Sequence, residues 1–123
     1  MFEHLFSPIK IKSMELKSRA IMPAMGTKFS GNASFVTPTL IEYHKARVRG
    51  GSPLNIVEVC SVHTPSAPRH FLSISDDMYI PGLKQLTDAI HEEGGKAGLQ
   101  LWQGSLCVGM DKTAQILMAS DME

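Results

Sequence analysis

The chain has 123 residues, and its 12 lysines and arginines balance its 12 aspartates and glutamates, so the formal net charge is zero. Hydrophobic residues make up 43% of the chain, which is typical of one globular domain or part of one. A balanced charge without a basic run argues against nucleic acid as a partner. No apolar stretch approaches the ~20 residues that span a bilayer, so no membrane partner is expected.

The N-terminus and the cysteines exclude further classes. The first ten residues contain Glu3 and Pro8 and have neither the charge order nor the apolar centre of a secretory signal, so we expect a cytoplasmic protein. Cys60 and Cys107 are too few and too widely spaced for a disulfide framework or a metal knuckle. We therefore predict no metal site and expect both thiols to be buried or idle.

The N-terminal third predicts a hairpin, a short strand and a loop. Two alternating runs within residues 9–18 meet near Ser13 and predict a small β-hairpin. The run RAIM, residues 19–22, predicts a brief buried strand. The segment 23–27, PAMGT, has small and flexible residues at the exit of that strand, and a loop is expected from there to Val36.

Two helices and two strands alternate over the rest of the chain. The first helix has a strong start signal, because the hydroxyl of Thr37 precedes a proline at the first helical position. A pair of glycines follows each helix and predicts its end. The predicted elements are a helix over 38–49, a strand over 54–59, a helix over 81–93 and a strand over 96–102.

This alternation predicts an α/β fold of parallel strands joined by crossover helices. The loops that follow strands are long and the turns that follow helices are short, as in a (β/α)8 barrel with functional loops at the carboxyl ends of its strands. A doubly wound sheet is the alternative, but the first βα turn has no GxGxxG run. Because a full barrel needs ~250 residues, we expect the N-terminal portion of a TIM (β/α)8 barrel. That portion would hold about three βα units after a short β-hairpin; a naturally short domain is the alternative.

Three blocks of sequence, in order, carry a family resemblance. They are LFSPIKIKSMELKSRAIMPAMGT, then EYHKARVRGG with LNIVEVCSV, and then SDDMYIPGLKQLTDAIHEEGGKAGLQLWQG. Together they resemble the old yellow enzyme family of FMN-dependent (β/α)8-barrel ene-reductases. Within it they are most similar to the branch of 2,4-dienoyl-CoA reductase and the NADH-dependent flavin oxidoreductases of bile-acid metabolism. The resemblance implies that residues 1–123 are the N-terminal part of one FMN-binding barrel domain, with no second domain.

The resemblance implies six flavin-binding positions on three strand exits. The exit of the first strand would give close backbone contacts, and the exit of the second strand would give one more. A glutamine amide on the third strand both donates and accepts, which suits the N3–H and carbonyl pair of a flavin. The residues at these positions are Pro23, Ala24, Met25, Gly26, Val59 and Gln100.

Two of these positions depart from the family pattern. Relatives often have a hydroxyl, thiol or imidazole where this chain has Gly26, and that group tunes the reduction potential of the flavin by hydrogen bonding. Here only the N–H of Gly26, or the side chain of Thr27, could take that role. Relatives usually have alanine or glycine at the position of Val59, so its side chain is expected to point away from the ring.

For the complete protein, the resemblance implies transfer of hydride from NADH or NADPH through FMN to the activated double bond of an enone or enoyl thioester. The partner would be a small-molecule substrate. The proton donor, the substrate anchors and the phosphate loops of the family come from later strands. We therefore assign no catalytic residue here and expect the 123 residues alone to be inactive. An iron–sulfur cluster is expected only in a later C-terminal part, and no oligomeric state is predicted.

Two alternatives stay open. One is a non-catalytic short α/β module that acts by binding or self-assembly. The other is a different TIM barrel, such as an aldolase-type lyase, although no Schiff-base lysine or carboxylate cluster stands at the predicted strand exits.

Overall fold

Two short alternating strands open the chain and form the predicted hairpin. The structure is a computed structural model that describes residues 2–63 and 70–103. Its elements are β1 (Ile9–Ile11), β2 (Met14–Leu16), α1 (Pro38–Arg49), β3 (Leu54–Ser61), β4 (Leu72–Ser73), a 3-10 turn (Asp77–Tyr79), α2 (Ile80–Glu92) and β5 (Lys96–Trp102). Strand β1 pairs antiparallel with β2, and Lys12 adopts a positive φ of 52° in the turn between them.

Helix α1 has the predicted bounds because its first turn is capped as the sequence indicates. The hydroxyl of Thr37 accepts a hydrogen bond from the Leu40 N–H at 3.3 Å and donates one to the Phe29 carbonyl at 2.5 Å. Helix α2 begins at Ile80, one residue before the predicted start, and it ends one residue before the predicted end. Both predicted helices are therefore confirmed to within one residue.

A three-stranded parallel sheet in the order β4-β3-β5 supports the helices. The predicted strand 54–59 extends by two residues to Ser61, and the strand 96–102 has its predicted bounds. The two-residue strand β4 lies in a stretch that the sequence predicts as loop. The core lies between the sheet and the helices and contains Leu40, Val48, Val57, Cys60, Leu72, Leu86 and Ile90.

The predicted buried strand over 19–22 is wrong in its extent. Only Met22 pairs with the sheet, through a parallel bridge to Asn55, while Arg19 and Ile21 are exposed. The bridge has two hydrogen bonds, from Met22 N–H to the Leu54 carbonyl and from Ile56 N–H to the Met22 carbonyl. Beyond this bridge, the next backbone N–H that bonds to β3 is that of Thr27. Its acceptor is the side chain of Glu58 instead of a backbone carbonyl. The segment therefore lies beside β3, where a strand would lie, but it does not form a continuous ladder of backbone hydrogen bonds with it.

A buried polar pair joins α1 to the amino half of β3. The side-chain amide of Asn55 donates to the backbone carbonyl of His44 at 3.0 Å and lies 3.4 Å from the Nδ1 atom of the same residue. Both side chains are almost fully buried. Burial, with the nearby positive charge of Arg47, lowers the pKa of His44 to about 4. His44 is therefore neutral at physiological pH.

Cys60 is a buried free thiol in the core, as expected, and Cys107 lies outside the described residues. Burial, together with the nearby carboxylate of Glu58, raises the pKa of the Cys60 thiol to about 11. The thiol therefore stays protonated and unreactive at neutral pH. In the described part of the chain, no three His, Cys, Asp or Glu residues are grouped so as to bind a metal ion, and no helix is long and apolar enough to cross a membrane.

Candidate functional site

The carboxyl halves of β3 and β5 carry the first part of the site. Their register runs from Leu54↔Lys96 to Val57↔Leu99, and then shifts so that Val59 pairs with Gln100. The shift is a β-bulge at Glu58, where β3 has one residue more than β5. Since side chains alternate along a strand, Gln100 lies on the face opposite to Leu99, which packs against the helices. Its register partner Val59 shares that open face.

The exit segment 23–27 carries the second part. After the bridge at Met22 the segment follows β3 towards its carboxyl end, where Thr27 reaches Glu58. Within residues 2–63 and 70–103, the backbone N–H groups at positions 24–26 make no hydrogen bond. The side chain of Met25 is 54% exposed, and Pro23 and Gly26 are exposed as well. The segment therefore presents a row of unused donors.

The carboxylate of Glu58 fastens this segment to the sheet. Its Oε2 atom accepts hydrogen bonds from the backbone N–H of Thr27 at 2.5 Å and from the Thr27 hydroxyl at 2.6 Å. The same hydroxyl accepts from the Phe29 N–H at 3.1 Å, so it is engaged on both sides. Thr27 is thus bonded to the sheet and to the loop, and the N–H of Gly26 stays unused.

An aromatic ring fills the space beside Gly26. A Cβ atom at this position would lie 2.8 Å from Cε1 of Phe71, closer than real Cβ atoms approach other atoms. Gly26 does not have a positive φ, so its backbone does not require glycine. The absence of a side chain is therefore explained by space, because the ring of Phe71 occupies the volume that a side chain would take.

The six predicted positions lie at one end of the sheet, where the strands β3 and β5 end. Val59 and Gln100 face each other in register, and Pro23 to Gly26 are held beside them through Thr27 and Glu58. The side chain of Gln100 is exposed and makes no hydrogen bond within the described residues. The role of these positions in flavin binding stays a prediction.

Glu58 and Phe71 are not among the six predicted positions. The signal for Glu58 is an acid within the β-branched strand LNIVEV, since a carboxylate buried in a sheet requires hydrogen-bond donors close by. Phe71 has no comparable signal, because its contact with Gly26 depends on a loop that returns to the sheet just before β4.

The available groups fit a flat cofactor with a polar edge. The unused N–H groups at positions 24–26 are donors, and the amide of Gln100 supplies both a donor and an acceptor. The residues on the exit segment have small or flexible side chains, so a planar ring could approach the backbone. An isoalloxazine ring, with its row of carbonyls and N–H groups, matches this set.

Comparison with known proteins places the chain in a family. The sequence profile of the NADH:flavin oxidoreductase / NADH oxidase family matches residues 4–122. The chain belongs to this family. The resemblance inferred from the three sequence blocks is thereby confirmed.

Two relatives are 34% and 38% identical to this chain over about 100 aligned residues. A metal reductase of Desulforamulus reducens is 38% identical over 99 residues, which cover 80% of this chain and 15% of that protein. An NADH oxidase of Thermoanaerobacter brockii is 34% identical over 102 residues, covering 81% of this chain and 16% of the oxidase. The chain thus spans about one sixth of the length of these two relatives.

Solved structures confirm the predicted fold. The old yellow enzyme from Pichia sp. AKU4542 aligns with a TM-score of 0.75 at 24% identity, over 80% of this chain and 26% of its own. A 2-naphthoyl-CoA reductase in complex with 2-naphthoyl-CoA aligns with a TM-score of 0.73 at 30% identity, over 82% of this chain and 16% of its own. The described elements are therefore an α/β portion of the TIM-barrel fold of the old yellow enzymes.

Proposed function

We propose that this chain is the N-terminal part of an FMN-dependent oxidoreductase of the ene-reductase type. The complete protein would transfer hydride from NADH or NADPH to the activated double bond of an enone or an enoyl thioester. One observation carries the proposal: the unused N–H groups at positions 24–26 and the free amide of Gln100 lie on two chain segments, the exit segment and β5, which both contact β3 at one end of a parallel sheet. In α/β barrels this end of the sheet carries the active site.

Each group has a distinct task in this proposal. FMN, when bound, supplies the redox chemistry, and the protein supplies its binding, orientation and electrostatics. The backbone at positions 23–26 would hold one face and one edge of the ring, and the amide of Gln100 would fix the pyrimidine edge. The N–H of Gly26 would donate near the reactive edge and thereby influence the reduction potential. Val59, on β3, would contact the flavin through its backbone.

The relatives favour redox chemistry and differ in the substrates that their names state. A metal reductase, an NADH oxidase and NADPH dehydrogenases occur among them. A similar structure is a reductase complexed with a CoA thioester, which favours a thioester over a simple enone as the substrate class here. We assign no proton donor or substrate anchor to this chain, and we propose that it is inactive by itself. A cytoplasmic location belongs to the same proposal.

The test is to express the complete reading frame that contains these residues and to measure the flavin absorption spectrum of the purified protein. We expect a yellow protein whose flavin is reduced by NADH or NADPH. Gln100→Leu should weaken FMN binding about tenfold or more, whereas Gln85→Leu, an exposed glutamine on α2, should not change it. A protein that is colourless as purified and after addition of FMN would contradict the proposal.

A second candidate is a non-catalytic α/β module that acts by self-association. It is favoured by exposed apolar side chains, since Ile80 is 52% exposed and Leu101 is 62% exposed. The size and flavin content of the isolated 123-residue chain separate the two candidates. A stable, flavin-free assembly of defined size would favour the module, and a poorly folded chain that aggregates would favour part of a barrel.

A further inference from the structure

Glu58 is a buried charged group at the centre of the candidate site. It is only 1% exposed and is the one carboxylate among the buried residues that the structure describes. Burial of a carboxylate is costly unless hydrogen bonds compensate for the lost water. Oε2 receives two such bonds, both from Thr27, whereas Oε1 has no partner within the described residues. An incompletely compensated carboxylate indicates that the position has a use beyond packing.

The backbone at Glu58 also sets the register of the site. As the extra residue of the bulge, Glu58 shifts β3 by one position against β5. Without the shift, the strict pairing that begins at Val57↔Leu99 would place Glu58 opposite Gln100. With the shift, Val59 lies opposite Gln100, and the carboxylate is free to reach the exit segment.

The hydrogen bond to Thr27 also orients the backbone of Gly26. The peptide group between Gly26 and Thr27 is planar and trans, so its N–H and C=O point in opposite directions. Because the N–H points at Glu58, the carbonyl of Gly26 must point away from it. The carboxylate therefore fixes the last peptide plane of the segment that carries the unused donors.

We propose that Glu58 is a positioning residue for the flavin site. Its carboxylate holds the exit segment 23–27 against the bulged end of β3, and this contact fixes the donors at positions 24–26 relative to Gln100. Glu58 acts through Thr27 and through the register of β3, and it does not itself touch the flavin. This inference rests on the proposed function, because it assumes that the positions it holds bind FMN.

The experiment uses the complete, FMN-loaded protein and compares Glu58→Gln, Thr27→Val and the double variant. Thr27→Val removes the hydroxyl bond and keeps the backbone bond, and Glu58→Gln replaces the charged acceptor by a neutral one. We expect each single variant to weaken FMN binding about tenfold and to shift the absorption spectrum and midpoint potential of the bound flavin. The double variant should be less than a hundredfold weaker, because both changes act on the same contact.

Two controls separate positioning from a general loss of stability. Thr27→Ser keeps the hydroxyl and should restore the affinity and the spectrum. Glu93→Gln removes a carboxylate of similar size that pairs with Arg49 and Lys45 on the helices, and it should leave the spectrum and the potential unchanged. If Glu58→Gln does not fold, the comparison of Thr27→Val with Thr27→Ser still tests whether the contact between positions 27 and 58 positions the flavin site.

The outcomes distinguish this inference from the proposed function. A wild-type protein that binds no FMN contradicts the proposed function and with it the inference. A wild-type protein that binds FMN, with Glu58→Gln and Thr27→Val equal to it in affinity, spectrum and potential, overturns the inference and leaves the proposed function intact.

Discussion

Gly26 shows how one missing side chain can be explained by a neighbour from another part of the chain. Its backbone conformation is open to any residue, yet the ring of Phe71 occupies the volume of a Cβ atom. The ring and the glycine therefore form a matched pair in this protein. The size of the side chain at position 71 is therefore expected to decide what position 26 accepts.

We predict that Gly26→Ala lowers the free energy of unfolding by about 1 kcal/mol, because the new methyl group overlaps Cε1 of Phe71. Phe71→Leu in the same protein should recover most of this loss by removing the ring edge. Urea denaturation of the wild type, both single variants and the double variant measures the coupling. Strictly additive effects of the two substitutions would contradict the matched pair.

His44 gives the protein a pH dependence with a defined sign. Its pKa in the folded state is about 4, below the ordinary histidine value of 6.5, because of burial and the nearby Arg47. As the pH falls through 6.5, the unfolded state binds the proton first, and stability is lost until the folded state is protonated near pH 4. We predict a loss of about 2 to 3 kcal/mol between pH 7 and 4.5.

The substitution His44→Phe should flatten this part of the stability profile, since it removes the titrating ring and leaves the Asn55 bond to the backbone carbonyl. The measurement is the free energy of unfolding in urea at several pH values. His91→Phe, on the exposed end of α2, is the matched control and should keep the wild-type profile. An unchanged pH profile in His44→Phe would exclude His44 as its source.

At the scale of elements, local chemistry decides the start of α1. The Thr37 side chain caps the helix and also bonds the Phe29 carbonyl, so one residue ties the helix to the preceding loop. We predict that Thr37→Ala costs about 1 to 2 kcal/mol and that Thr37→Ser costs much less. Thr39→Ala, an exposed threonine two positions later, should be nearly neutral. Thermal unfolding of the three variants checks this, and equal losses at positions 37 and 39 would contradict it.

The elements that the sequence predicted correctly are those specified by local signals. Helix α1 has its cap and proline, and β5 has an apolar run after a glycine pair. The errors concern non-local effects. The segment 19–22 is apolar enough for a strand, but its parallel bridge sets Met22 opposite Asn55, so its first residues lie opposite positions that precede the start of β3 at Leu54. Strand β4 has two residues and depends on the exposed edge of β3.

The positions of the candidate site could be predicted from the sequence, but the contacts that align them could not. The six positions came from a resemblance, and the structure brings their three segments together at one end of the sheet. The bulge that aligns Val59 with Gln100 has no local signature, because it arises from the different lengths of two strands far apart in sequence. The contact of Phe71 with Gly26 has the same non-local origin.

At the scale of the whole molecule, one side of the sheet and helix layer carries an open apolar groove. It has a volume of about 430 Å³ and lies between α2 and the outer strand β5. Side chains of Val57, Leu83 and Leu99 contribute to its walls. In a complete barrel, the element that follows β5 would pack in this region.

We therefore predict that the isolated 123-residue chain binds a hydrophobic dye and aggregates without a defined size, whereas the complete protein does neither through this groove. An apolar surface of this kind is rarely left open on a monomer. Dye fluorescence and sedimentation velocity on both proteins measure the difference. A dye-free monomer of the isolated chain would contradict this prediction and would weigh against its being part of a barrel.

The parallel pairing of β3 with β5 also has a consequence for the time course of folding. Leu54 pairs with Lys96, about 40 residues later, whereas the β1–β2 hairpin closes within eight residues. Pairing between distant residues is slow, because a long loop must close before the contact forms. On the ribosome, both strands of the hairpin are available early, but β3 can pair with β5 only after residues 96–102 have been synthesised. The bulge, and with it the alignment of Val59 and Gln100, is thus among the last features that this chain can acquire.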